Sequence, residues 1–500
     1  MKKFFAPFLM MSLLTLSCSK DDVVDEEVEE VEIEEPGEKR NLEVERFIYR
    51  GMNDIYFYKS EVPELADNYF SSNTEKDKFL ADFDSPEVLY EALQAPHDHF
   101  SFMTSDYVAL TKQLQGGVAK TTGMDYQLHL FSNSENIYGY VRYVVPGTSA
   151  AEEGVQRGDF FTEIDGQQLT LNNYRDLFSR DSYSLRIAVL EGSTIKNTDK
   201  VVNLVNSESS ENPVLISKVL EMEDYRIGYL MYNSFTPSFD SQLNAAFADL
   251  KSQNITHLVL DLRYNSGGNG ETAKDLASMV TGQFNGEIMM RYQFNEDYQA
   301  YYQANYPEWL VQRFNDEIRT GEKINSLNLD RVYVLTTKRS ASASEFVING
   351  LDPYIDVVQI GDYTSGKYQG SFTLHDSPNF QLTDDKGNTH VNPNHKYALQ
   401  PLVLKYANKN GVTDFVDGLP PDVRVAEDLA HLGTLGDPNE TLLQAAINAI
   451  LGNPQEAATN TQRKMMSGEY KFVGERDMFN PSYQRLIIEN MPLMKPEEMN

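Results

Sequence analysis

The chain has 500 residues, too many for one core of ordinary size, and its 41% hydrophobic content supports a globular body of two or three domains. Its formal net charge of −32 argues against nucleic-acid binding, because affinity for phosphate comes from clustered Lys and Arg. The same charge argues against a basic membrane-surface patch.

Lys2 and Lys3 precede an apolar run from Phe4 to Leu16, which ends in Leu16-Ser17-Cys18. The run is short for a membrane span and has the charged-then-apolar form of a secretory signal, placed at 1–17. Cys18 is the only cysteine, so it forms no internal disulfide. A lone cysteine just after a signal core resembles the lipid-attachment residue of a bacterial lipoprotein, with Thr15 where leucine is usual. Ser19-Lys20-Asp21-Asp22 resembles the signal that sends some Gram-negative lipoproteins to the outer face of the outer membrane. These resemblances imply a lipid-anchored protein of the Gram-negative cell envelope, at the outer membrane and facing outward; the alternative is an ordinary cleaved signal. From Asp21 to Glu38, eleven of eighteen residues are acidic. Like charges at that density cannot collapse into a core, so 18–40 reads as a solvated tether.

Residues 41–110 read as a small helical domain, with Val44, Phe47, Ile48 and Met52 on one helical face. His97-Asp98-His99 follows, where two histidines alone lack further ligands at metal-binding spacing. A turn with hydrogen-bonded polar side chains is the expectation there. Residues 115–206 alternate short strands with turns. Tyr143 to Leu169 has Pro146-Gly147 as a turn, a short helix at Ser149 to Glu153, a strand after Gly158-Asp159 and a turn at Asp165-Gly166. That order of features resembles a PDZ domain of the bacterial protease type. The resemblance implies an extended peptide added to a sheet edge, its carboxylate in a backbone nest near Gly123, Met124 and Asp125. A PDZ-shaped spacer that binds nothing is the alternative.

The largest domain spans 213–451. RIGYLMY, a helix carrying Leu243, Phe247 and Leu250, THLVLDLRYNSGG and a further helix make successive βαβ units, hence a mainly parallel sheet. Loops at the C-terminal ends of such strands form the ligand crevice. Gly267-Gly268 leaves one strand there. RVYVLTT is followed by SASASE, then DVVQIG by DYTSGK, so a serine and Lys367 leave two further strands at the same edge. The aromatic segment from Tyr292 to Ile318 reads as a packed helical insertion. Asp384-Asp385-Lys386-Gly387 reads as a hairpin turn, and GLPPDVRV and a helix ending at Ile450 close the domain. The tail, 452–500, carries no motif.

A serine hydroxyl is a poor nucleophile until a base takes its proton. Lysine serves only when neutral, so a pKa near 10.4 must fall roughly 3 to 4 units, on the order of 4 to 5 kcal/mol, which an apolar pocket can supply. Ser342, at the start of a helix, is the candidate nucleophile, and Lys367 the candidate base. The N–H groups of Gly267, Gly268 and Ala343 are candidate donors to an oxyanion.

LVLDLRYNSGG, SASASE and TSGK together resemble the C-terminal processing peptidases, the tail-specific serine proteases of family S41, over about Asn41 to Ile450. The resemblance implies a multidomain α/β protein: a crotonase/ClpP-like protease core, a PDZ-like β-rich domain and a helical N-terminal domain. It selects Ser342 over Ser340 and Ser344, with Lys367 at the family spacing of 25 residues. Many relatives have a glutamine four residues after the lysine; here that is Ser371, and Gln369 is the possible orienting residue. Some have an aspartate eleven residues after the serine; here that is Pro353, beside Asp352. The expected function is a cell-envelope serine endopeptidase, using no metal or cofactor and acting on proteins or peptides. The alternative is an inactive, peptide-binding surface lipoprotein on the same fold.

Overall fold

The apolar runs RIGYLMY, HLVLD, RVYVLT and DVVQIG form neighbouring strands in a computed structural model that describes residues 41–494, apart from 223, 385, 453–470 and 479–482. In sheet order the strands are Val214–Met222, Tyr225–Tyr232, His257–Asp261, Arg331–Thr336, Asp356–Gly361 and Val423–Arg424. The first pairs antiparallel and all later pairs are parallel, as the βαβ pattern predicts. Alternate side chains serve two cores, because the sheet is covered on both faces. Leu258, Leu260, Val332 and Val334 pack with Phe247, Leu276 and Phe346. Val259, Tyr333 and Leu335 pack with Leu442, Leu443 and Ala446 on the other side.

Residues 41–110 contain the expected helices, beginning with Glu43–Ile55. They do not have a core of their own: Phe47, Ile48, Met52, Leu89 and Leu93 join the cluster that holds Phe346 and Leu404. The strand Phe102–Thr104 also pairs with Ala398–Gln400. The described residues from Leu42 onward form one compact unit. The β-rich segment does have its own core, built on Met124, Leu128, Val141, Phe161 and Ile187. Its strands Met124–Leu130, Ile137–Val144, Phe160–Ile164, Ser182–Glu191 and Thr194–Val205 are successive antiparallel neighbours.

Two expectations need correction. The aromatic segment begins as the strand Ile288–Phe294, which carries Tyr292, before the helix Glu296–Asn305 buries Tyr298 and Tyr302. The tail also supplies two strands. Phe472–Glu475 lies antiparallel on the edge of Met124–Leu130, and Leu486–Ile488 lies parallel between Gly268–Asn269 and Gln369–Phe372. Strands of three or four residues are too short to show a period in sequence. The signal at 1–17, Cys18, the tether to residue 40 and Asp385 of the hairpin turn lie outside the described residues. No helix of the described residues is long and apolar enough to cross a membrane.

Candidate active site

Ser342 immediately precedes the helix Ala343–Leu351, with φ 59° and ψ −107°. Non-glycine residues rarely adopt that region, and holding one there costs about 1 to 3 kcal/mol. The neighbouring serines are committed elsewhere. Ser340 Oγ donates to the Leu262 carbonyl at 2.8 Å, and Ser344 Oγ to the Asn265 carbonyl at 2.9 Å. Ser342 Oγ is buried and has no hydrogen-bond partner among the described residues. Of the three hydroxyls in SASASE, it alone is left available for chemistry.

Lys367 follows the turn after Asp356–Gly361. Gly366 permits that turn at φ 103°, since a Cβ there would stand 2.2 Å from the Val416 carbonyl oxygen. Lys367 is fully buried, and its Nζ also lacks a hydrogen-bond partner among the described residues, so it is not bonded to Ser342 Oγ. Nζ lies 4.3 Å from the centroid of the Phe100 ring. Burial, and then the positive charge of Arg485, push this amine's pKa well below its ordinary value; Asp98 and Glu345 pull it back more weakly. The apolar pocket expected for Lys367 is thus floored by Phe100, from the PHDHFSF segment. Within that segment Asp98 is the structural residue, accepting from the Tyr56 hydroxyl at 2.8 Å and from the Phe100 and Ser101 N–H groups.

Two residues that sequence reasoning did not single out fix the serine and lysine relative to each other. Glu345 Oε2 accepts from the N–H of Ser342 at 2.7 Å and of Lys367 at 2.9 Å. Its Oε1 accepts from the Thr364 hydroxyl and the Gly366 N–H, both at 2.6 Å. Burial pushes the Glu345 carboxyl up to about 7, against those four donors. On the carbonyl side, the Tyr406 hydroxyl lies 3.2 Å from Ser342 O and 3.1 Å from Lys367 O. The acid ending SASASE was a visible signal for the first; nothing in the sequence marked the second.

The Gly267 N–H donates to Asn265 Oδ1 at 2.9 Å, and the Gly268 N–H to the Arg485 carbonyl at 2.7 Å. A Cβ on Gly267 would stand 2.6 Å from Arg485 O and 3.0 Å from Ser342 Cβ, so the glycine loop lies directly against the serine. Ala343 is the first residue of the helix, where N–H groups have no intrahelical acceptor. Gln369 is buried and donates to the Tyr58 hydroxyl at 3.2 Å. Asp352 is exposed at the far end of the helix, roughly 15 Å along it from Ser342 at the α-helical rise, and is not brought to the site.

In the β-rich segment, the N–H groups of Gly123 and Met124 turn to the hydroxyls of Thr121 and Thr122. Asp125 is fully buried and pairs with Arg142 at 2.5 Å. Arg142 also binds Glu475 at 2.5 Å, and Arg339, three residues before Ser342, binds Glu475 at 2.9 Å and Asp477 at 2.8 Å. Burial alone would raise the Glu475 carboxyl, but Arg339 and Arg142 hold it down at about 2. A cavity of about 720 Å³ lies beside Met124, Tyr126, Tyr174 and Phe178. No cluster of three or more His, Cys, Asp or Glu side chains among the described residues is arranged for a metal ion.

The site falls within a recognisable family region. Residues 226–425 match peptidase family S41, and residues 43–102 match the peptidase S41 N-terminal domain. The carboxy-terminal-processing protease of Bartonella bacilliformis is 29% identical over 239 residues, 45% of this chain and 47% of that protein. The chloroplastic C-terminal processing peptidase of Tetradesmus obliquus is 23% identical over 251 residues, 48% of this chain and 53% of that protein. The chain thus spans about half the length of these curated relatives. A Bacteroides fragilis crystal structure assigned to the S41 proteases is 25% identical, with a TM-score of 0.59 over 81% of this chain and 97% of that one.

Proposed function

We propose that this chain of the S41 peptidase family is a serine endopeptidase that cleaves proteins or peptides through Ser342, with Lys367 as general base. The observation that carries the reading is the pair of buried, unbonded groups at one sheet edge: a hydroxyl whose two neighbours are both committed, and an amine that burial favours in its neutral form. Neutral Lys367 takes the Ser342 proton as Oγ attacks the peptide carbonyl. The resulting ammonium returns that proton to the leaving amine, and water then releases the acyl group by the same route. The Ala343 and Gly268 N–H groups are the proposed oxyanion donors, with Gly267 allowing close approach and Asn265 holding its N–H. Gln369 is proposed to order the pocket through Tyr58.

The β-rich segment is proposed to act as a PDZ-like capture unit for extended peptides. Its support is the Met124–Leu130 edge, which already accepts an antiparallel strand, and the cavity beside it. Attachment to the outer membrane through a lipid on Cys18, facing outward, belongs to the same proposal; Cys18→Ser is expected to release the protein from the membrane fraction.

The test is incubation of the folded body from Asn41 onward with an unstructured polypeptide. Cleavage that Ser342→Ala and Lys367→Ala each abolish is expected, and equal cleavage by either variant would overturn the assignment. A second reading, a peptide-binding protein without peptidase activity, is favoured by one fact: Ser342 Oγ and Lys367 Nζ are not hydrogen bonded to each other. Binding without cleavage would support it.

A further inference from the structure

The segment from Arg485 to Ile488 lies between the glycine loop beside Ser342 and the strand that follows Lys367. Leu486–Ile488 adds as a parallel strand between the glycine loop and the strand that follows Lys367. Gly268 and Asn269 stand opposite Leu486 and Ile487 on one side, and Ser371 and Phe372 opposite Ile487 and Ile488 on the other. The Arg485 carbonyl receives the Gly268 N–H at 2.7 Å, the donor assigned above to a substrate carbonyl. The same oxygen and Ser342 Cβ wall the space beside Gly267. The Arg485 guanidinium donates to the Phe100 carbonyl, and the Phe100 ring lies under Lys367 Nζ.

Beyond the cleft the segment stays anchored. Leu486, Ile488 and Met491 are buried in the main core. The Tyr302 hydroxyl donates to the Pro492 carbonyl at 3.0 Å, and the Met494 N–H to the Tyr298 hydroxyl at 3.2 Å. Upstream, Phe472–Glu475 lies on the edge of the β-rich sheet. One stretch of chain therefore touches both surfaces assigned above to substrate, first the capture edge and then the cleft.

We infer that the groove beside the glycine loop binds extended peptides as a parallel strand, with a basic residue at the carbonyl that receives the Gly268 N–H and aliphatic residues one and three positions later. The chain's own Arg485–Ile488 is the resident ligand, so the protein as folded is latent. Main-chain ladder bonds supply the binding, and the pockets filled by Leu486 and Ile488 supply the selectivity. Two residue pairs join the strand to each neighbour, so a competing peptide must displace that short ladder together with the buried Leu486 and Ile488 side chains. A site filled in most molecules lowers apparent affinity for external substrate by the vacant fraction.

The inference rests on the peptidase reading for its consequence but not for its test. The Leu486→Asp/Ile488→Asp double variant of the full chain is expected to cleave an unstructured polypeptide about tenfold faster or more. A labelled peptide with the sequence of residues 483–494 is expected to bind that variant carrying Ser342→Ala, read by fluorescence anisotropy, and to inhibit the active form. Because two buried charges could unfold the chain, a second form carries a site-specific protease sequence at 479–482. The tail then folds in place and is afterwards cut from the chain and displaced by excess 483–494 peptide lacking the label. Unchanged activity in either folded form, with no peptide binding, would overturn the inference. Peptide binding without cleavage would uphold it while removing the peptidase reading, and cleavage without peptide binding would do the reverse.

Discussion

The backbone N–H groups of Ser342 and Lys367 donate to one and the same carboxylate oxygen, Glu345 Oε2, at 2.7 and 2.9 Å. Two residues 25 positions apart are thereby held at one point, and both are buried there. Glu345→Ala would leave three N–H groups and the Thr364 hydroxyl without their acceptor. A loss of more than about 3 kcal/mol in urea unfolding is expected, since each unsatisfied buried donor costs about 1 to 3 kcal/mol. Glu345→Gln, which keeps the size but presents one acceptor oxygen, is expected to fold and to lose most of kcat.

The three serines separate by experiment. Ser342→Ala is expected to keep its thermal midpoint and lose cleavage, because its hydroxyl has no structural bond to lose. Ser340→Ala removes the bond to the Leu262 carbonyl and the acceptor of the Thr337 N–H, and Ser344→Ala removes the bond to the Asn265 carbonyl; each is expected to lose about 1 to 2 kcal/mol of stability while retaining activity. Thermal melts and a cleavage assay on the three proteins check both halves.

Lys367 should cost stability as well as supply catalysis. Its folded pKa lies well below the value it has in the unfolded chain, so between those two values the unfolded chain holds a proton that the folded chain does not. Stability therefore rises with pH through that window. Lys367→Met is expected to abolish cleavage and to raise stability at pH 7, because the unfolded wild-type chain gains from a proton that burial keeps off the folded amine. The gain should shrink as pH approaches 10. A variant less stable at pH 7 and unchanged in its pH slope would contradict this.

Asp125 tests the division between capture and architecture. It is fully buried against Arg142, and removing it leaves Arg142 and Arg339 to share Glu475 with one buried negative charge fewer, at up to roughly 3 to 5 kcal/mol. Asp125→Ala is expected to lower the thermal midpoint sharply. A fully stable Asp125→Ala protein with altered peptide binding would instead give the residue a ligand-facing role.

What was legible in sequence followed repeating pattern. The alternating apolar runs gave the parallel sheet, and SASASE and TSGK, as parts of a family resemblance, gave Ser342 and Lys367. Physical reasoning from residues could not choose among the three serines, because the choice depends on carbonyls at Leu262 and Asn265, some 80 positions away in the chain. Tyr406 and Phe100 were invisible for the same reason: each acts through a contact that only the fold creates. The tail was read as carrying no motif because Phe472–Glu475 and Leu486–Ile488 are stabilised by neighbours rather than by their own periodicity. The backbone that stands against Gly267 is Arg485, from the same tail, and that against Gly268 is Phe235.

The pH dependence of serine acylation by a small fluorophosphonate, with the adduct located by mass spectrometry, tests the central claim most directly. The account predicts a single adduct on Ser342, its rate rising through a transition well below pH 10.4, the ordinary lysine value being about that figure. That rate should be lost in Lys367→Ala. Labelling at another residue, or equal labelling of Ser342 in Lys367→Ala across the pH range, would contradict it.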